Sequence, residues 1–409
     1  MTLDLRLSAM LLATLGAGCG DLCGAERLPR CDIREEACHA QVQAIVQCTR
    51  GRTASSLPSI EVISLDDYEA RLRAGADPMM MRSLEWETSL GLLGLVDPSA
   101  DLLESSIAGA LTNVAAFYSP GDREVFVIDR GMIMNSPEAV ATLAHELVHA
   151  AQDEEHDLDA LLDAARTHED VMVLKSVVEG EAELYTLEAF VWDNGGELQD
   201  LDWPRLYDPW IADIGSALGS TPSPYFGVYG SLPYVVGARW QTARWEEGGD
   251  DAVRRGITMP PESSAWLLVD PWRSGRVPPA RAPSPLCERT PAPPGFEARD
   301  PDEMGAPLVY AFLMRWGMTH AEAWDLALRW RRDDLEVYAA PDGSAAVAWR
   351  IVLGDAQAPR WIATQLETAA PGAFRAGYAG ETVVILTSTD PTLTAAWTWE
   401  APAGCAPPG

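Results

Sequence analysis

Ser136-Pro-Glu-Ala-Val-Ala-Thr-Leu-Ala-His145-Glu-Leu-Val-His149-Ala-Ala-Gln-Asp153 decides how the rest of the chain is read. Serine caps helix starts, proline suits the first helical position, and a glutamate there favours the positive helix end. The pattern predicts a helix from Ser136 through His149 to about Asp153. Ala141, Leu143, Ala144, Leu147, Val148, Ala150 and Ala151 surround the two histidines, so the helix is expected to be buried. Residues four apart share a helix face, which sets His145 and His149 side by side. Both imidazoles can then reach one cation at about 2.0–2.1 Å each. Buried imidazoles need polar partners, and a metal ion serves both at once. Glu146 lies next to the first of them and can face the cation's open position, where a carboxylate takes a proton from water.

A third ligand follows. A helix over 171–192, stopping at Asn194-Gly-Gly196, carries Val177-Val-Glu179-Gly-Glu-Ala-Glu183. If this helix crosses the first, Glu179 completes a His-His-Glu site that keeps one position open, the pattern of catalytic rather than structural zinc. Gly180 and Ala182 are small, and the expectation is that they admit the first helix closely. Glu183, one turn on, would hydrogen-bond a ligating histidine. Glu181 and Glu188 read as part of a solvated face, and His168 and His320 as ordinary polar residues.

His145-Glu-x-x-His149 followed by Glu179-Gly-x-Ala182 resembles the gluzincin class of zinc metallopeptidases. The longer context is similar to a little-characterised bacterial set of that class, from about residue 58 to 395. It comprises a hairpin with Phe117-Tyr118, the run from His145 to Asp153, Val178-Glu-Gly-Glu-Ala182, Pro233-Tyr234-Val-Val-Gly237, and Gly248-Gly249 before Pro260-Pro261. The chain departs from that set where Glu154-Glu-His156 replaces Gln-His-Phe, which leaves His156 without a role.

The resemblance implies Zn2+ on His145, His149 and Glu179, with Glu146 as base and a peptide or protein as substrate. It also implies an oxyanion-stabilising side chain, for which Tyr225, Tyr229 and Tyr234 are candidates; Tyr234, opening a helix, is favoured. The implied fold is α+β: a mostly helical gluzincin-like catalytic core with a small antiparallel sheet, plus a smaller C-terminal α/β subdomain. The hairpin would lie beside the cleft and pair with extended substrate. The competing reading is a non-catalytic surface binding or scaffold lipoprotein that keeps the metal for structure. An intact Glu146 and the lack of a fourth ligand in view argue against it.

Composition limits the partners. The chain of 409 residues carries 61 acidic and 30 basic side chains, a formal charge of −31, which repels phosphate backbones and anionic membranes and excludes nucleic acid as an expected partner. Arg6 and the apolar run Leu7–Gly18 read as a signal peptide, too short to span a bilayer with ease. Cys19 after Gly16-Ala-Gly18 is a candidate for a lipid anchor, although Leu15 sits one position too far upstream. Beyond Cys19, the cysteines at 23, 31, 38, 48, 287 and 405 suit disulfides, and an extracytoplasmic location follows. The order expected along the chain is a signal peptide (1–18), a cysteine-rich segment (19–56), a catalytic domain (57–272), a proline-rich linker (273–301) and a C-terminal α+β subdomain (302–400).

Overall fold

The computed structural model describes residues 28–51, 56–74, 84–131, 133–273, 277–282 and 290–398. The signal segment and Cys19, Cys23, Cys287 and Cys405 lie outside them. Among the described cysteines, Cys31 and Cys38 form a disulfide, and Cys48 is disulfide-bonded as well. No described helix is long and apolar enough to cross a membrane.

The fold is α+β. A helix, α1 (Glu36–Thr49), precedes β1 (Ser59–Ser64), α2 (Leu65–Ala74), α3 (Leu84–Leu93) and α4 (Leu102–Asn113). The hairpin of β2 (Ala116–Ser119) and β3 (Glu124–Asp129) follows, turning through Pro120-Gly-Asp-Arg123. The two strands pair antiparallel, and β1 joins β3 in parallel with Ile60 opposite Val125 and Val62 opposite Val127. The order β1-β3-β2 leaves β2 at an edge.

Two long helices come next. In α5 (Pro137–His156) the Ser136 side chain accepts from the Ala139 N–H, and the last turn ends at Asp157 in the left-handed region. Val140, Leu143, Ala144, Leu147 and Val148 are buried, each valine or leucine contributing about 1.5–3 kcal/mol. A short α6 (Leu158–Ala164) leads to α7 (His168–Asp193), which starts three residues before the expected position. The cause is a capping box: Thr167 accepts from the Asp170 N–H, and the Asp170 carboxylate accepts from Thr167 N–H.

The stretch after Asn194 reads as a loop because of its prolines, yet it forms α8 (Trp203–Ser220) and α9 (Pro224–Gly230). Asp202 caps α8, and Trp203, Tyr207, Ile211, Ile214 and Leu218 bury one face at helical spacing. Then α10 (Leu232–Thr258) runs through a break at Gly248 and Gly249, where the glycine pair reads as a helix stop.

The C-terminal part contains α11 (Ala306–Arg315), α12 (His320–Ala327), α13 (Ala358–Ala369) and α14 (Pro391–Ala396). The last two cover an antiparallel sheet ordered β4-β5-β6-β8-β7, with β4 (Glu297–Ala298), β5 (Trp330–Ala339), β6 (Ala345–Leu353), β7 (Arg375–Ala379) and β8 (Thr382–Ser388). Described residues of the proline-rich stretch bond to β5 of this sheet: Ala282 N–H donates to Arg331 O, and Thr290 N–H to Glu336. One apolar interior joins both halves, including Leu147 of α5, Val309 of α11, Trp349 of β6 and Ile385 of β8. Phe312 meets Trp349 edge-on at 5.1 Å between ring centres.

Candidate metal centre

The helix pair α5 and α7 brings three ligand atoms together. His149 Nε2 lies 3.1 Å from His145 Nε2, His145 Nε2 lies 3.3 Å from Glu179 Oε2, and His149 Nε2 lies 3.4 Å from that same oxygen. Ligands about 2.0–2.1 Å from a tetrahedral ion stand about 3.3 Å apart. The three atoms therefore already occupy three corners of such a tetrahedron, and His145, His149 and Glu179 form a group that could hold a metal ion.

Neighbouring side chains fix the orientation of the ligands. His149 Nδ1 contacts Gln152 Oε1 at 2.8 Å, and Gln152 Nε2 donates to Val178 O at 3.0 Å. The second bond sets which end of the amide faces the ring, so Nδ1 carries the proton and Nε2 offers its lone pair to the site. Gln152 was given no role by the sequence reading, although its position three residues after His149 on one helix was the available signal. Glu183 Oε1 stands 3.8 Å from His145 Nδ1, an ion-pair distance longer than a hydrogen bond. Burial raises the Glu183 carboxyl above its usual range, with the charge of Glu179 adding to the effect.

Without an ion, the charges of the triad lean on one another. Burial alone would lower the His149 imidazole, but the hydrogen bond and charge of Glu179 push it up to about 9. Burial alone would raise Glu179, but the hydrogen bonds and charges of His145 and His149 hold it well below the carboxylate range.

Glu146 is buried next to the triad, and its Oε2 accepts the Tyr118 backbone N–H at 2.9 Å. The Tyr118 hydroxyl donates to Asp153 Oδ2 at 2.8 Å, so β2 is tied to α5 at two points. Tyr234 stacks on His145 with 6.1 Å between ring centres. Burial holds its hydroxyl well above the usual phenol range, as do the charges of Glu179, Glu146 and Glu183. Tyr225 and Tyr229 lie elsewhere: Tyr225 OH meets His168 Nε2 at 3.0 Å, and Tyr229 OH donates to His168 O at 3.3 Å. His156 is 3.7 Å from Glu155 and takes no part in the triad.

Three expectations about α7 are corrected. Gly180 does not face α5. A Cβ on it would lie 2.2 Å from the Gly237 carbonyl carbon, so the close approach is to α10. That crossing sets Tyr234, one turn before Gly237, beside the triad. Glu181 does not belong to a solvated face. It is fully buried and accepts from Arg50 Nε and Nη2 at 3.0 and 2.8 Å, because α1 covers this side of α7. Glu188 is partly buried too, and burial together with the charge of Asp250 raises it to about 8. His168 is likewise buried, held between Tyr225 and Asp302, whose Oδ2 lies 2.7 Å from Nδ1.

The triad opens into a cleft of about 670 Å³ lined by α2, β2 and the helix pair. Phe117 and Ser119 pair with β3, so the N–H and C=O groups of Ala116 and Tyr118 point to the free edge of β2. No family model, curated protein or solved structure matches the chain.

Proposed function

We propose that this chain is an exported, zinc-dependent hydrolase that cleaves peptide bonds. The observation that carries the reading is a three-cornered His-His-Glu donor set with a buried carboxylate, Glu146, lining the same cleft. Two imidazoles and one carboxylate suit zinc, and a closed structural site would require a fourth protein ligand. Zinc bound there supplies Lewis acidity and lowers the pKa of water to about 7.

The chain's own residues account for the remaining steps. Glu146, oriented by the Tyr118 N–H, accepts a proton from the attacking water and returns it to the leaving amine. Tyr234, whose hydroxyl stays protonated, donates a hydrogen bond to the oxyanion that develops on the carbonyl. Gln152 keeps His149 in the ligating tautomer. The free edge of β2 offers its backbone groups, other than the Tyr118 N–H held by Glu146, to an extended peptide. The bonded cysteines suit an oxidising compartment, in keeping with the signal-like start of the sequence.

Metal analysis and a peptide-library cleavage screen on wild type beside Glu146→Gln test this. The variant is expected to keep one zinc and to lose turnover. A wild-type protein that holds metal yet cleaves no peptide would instead favour the non-catalytic binding or scaffold role.

A further inference from the structure

Among the described residues, Arg71 is the one lysine or arginine lining the cleft that holds His145, Glu146, His149 and Glu179. It sits on α2, across from the helix pair, with its side chain 44% exposed. Its guanidinium carbon rests 4.1 Å from the ring centre of Phe126, and that ring is fully buried and stacked on Phe117 at 5.1 Å. A rigid aromatic floor therefore fixes the guanidinium plane. The guanidinium forms ion pairs with Asp122 at 3.7 Å and Glu61 at 3.9 Å, both longer than a hydrogen bond. Arg71 thus makes no hydrogen bond to a described residue. Two positions along the same helix, Arg73 is fully engaged, donating to Glu69 and to Glu104.

We propose that Arg71 is a specificity residue that binds a carboxylate of the peptide in the cleft, from either an acidic side chain or a free C-terminus. A guanidinium presents a planar fork of donors that matches a carboxylate in bidentate geometry. Here the fork is held in place and partly exposed in the cleft, and its ion pairs with Asp122 and Glu61 are too long to be hydrogen bonds, so its N–H groups remain open to an incoming carboxylate. The chain's formal charge of −31 does not oppose this at contact distance, because salt screens the distant surface within about 8 Å while a direct pair is screened far less. The inference rests on reading the cleft as a peptide site.

Binding of defined peptides to the zinc-loaded Glu146→Gln chain provides the test. The probes are one neutral decapeptide carrying a central Glu or Gln, each with a free or an amidated C-terminus. The carboxylate that Arg71 reads should strengthen binding about tenfold over its amide. The Glu/Gln arm and the free/amidated arm separate the two sources. Arg71→Ala should abolish the preference, and Arg71→Lys should recover only part of it. Equal binding of all four probes, no binding of any, or a preference that survives Arg71→Ala would overturn the assignment; survival would mean that the carboxylate goes to the metal. Hydrolysis of the same peptides by the wild type is scored separately. Selective binding without cleavage would remove the peptidase reading and leave the role of Arg71 standing.

Discussion

Gly237 lies against Ser176 so closely that a Cβ on it would come within 1.8 Å of the Ser176 carbonyl oxygen. Backbone cannot yield as a flexible side chain can, so Gly237→Ala should force α10 away from α7. The expected cost is about 3 kcal/mol or more, read as a fall in the melting temperature, with weaker metal binding because Tyr234 and Glu179 move apart. Gly109→Ala is the control: it sits inside α4 with nothing within 4 Å of the new Cβ. That change should stabilise by about 0.5–1 kcal/mol. Equal effects of the two substitutions would show that the crossing is not tight.

Removing a ligand should remove the ion. His149→Ala and Glu179→Gln are expected to abolish stoichiometric zinc, measured by elemental analysis after dialysis. Gln152→Ala should keep one site but weaken it about 10–100-fold, as loss of an orienting partner does. Calorimetric titration reads that change, and a drop of less than threefold would refute the orienting role of Gln152. Chelation should also lower the melting temperature, since an ion that binds only the folded chain stabilises it in proportion to the logarithm of its excess over Kd.

Glu169 gives a pH signature independent of the metal. It is buried, its carboxylate accepts from the Ser264 N–H and hydroxyl, and burial pushes it up to about 7, with the charge of Glu303 adding to the rise. A carboxyl raised in the folded state favours folding while protonated. That contribution is whole below about pH 4.5 and is lost as pH rises through about 7. Wild type should therefore lose on the order of 3 kcal/mol of stability across this window relative to Glu169→Gln. Denaturant midpoints at pH 5 and pH 8 provide the comparison, and parallel curves for the two proteins would contradict it.

The Arg50–Glu181 pair should behave as a buried ion pair does. Arg50→Met leaves the fully buried Glu181 carboxylate without its cation and is expected to cost about 3–5 kcal/mol. Adding Glu181→Leu should restore most of that, because no uncompensated charge remains. A double variant no more stable than Arg50→Met would exclude this account.

The α+β class was legible in the sequence, as were the helix that starts at Ser136 and the hairpin with Phe117-Tyr118. In each, capping chemistry or period-two alternation is local. The triad was legible because its spacing within one helix is fixed, and because Glu179 precedes a small residue. What that glycine is for was not legible. Gly180 reads equally well as space for α5 or for α10, and only the fold shows that Gly237 fills it. Glu181 misled for a related reason. An acidic residue between two others looks solvated until Arg50, 131 positions earlier, covers it. The helices over 203–230 were missed because Pro204, Pro209 and Pro224 look like breakers, although Pro204 and Pro224 stand in first turns, where a proline costs no hydrogen bond.

The apolar interior that runs from Leu147 to Ile385 has a consequence for how the molecule fails. Because the helices and the second sheet share that interior, loosening of β6 is transmitted through Phe312 to the helices behind the triad. Heat should therefore release the ion and melt both sheets in one cooperative step. Damage at Trp349, more than two hundred residues from His145 along the chain, should be felt as a leak of metal.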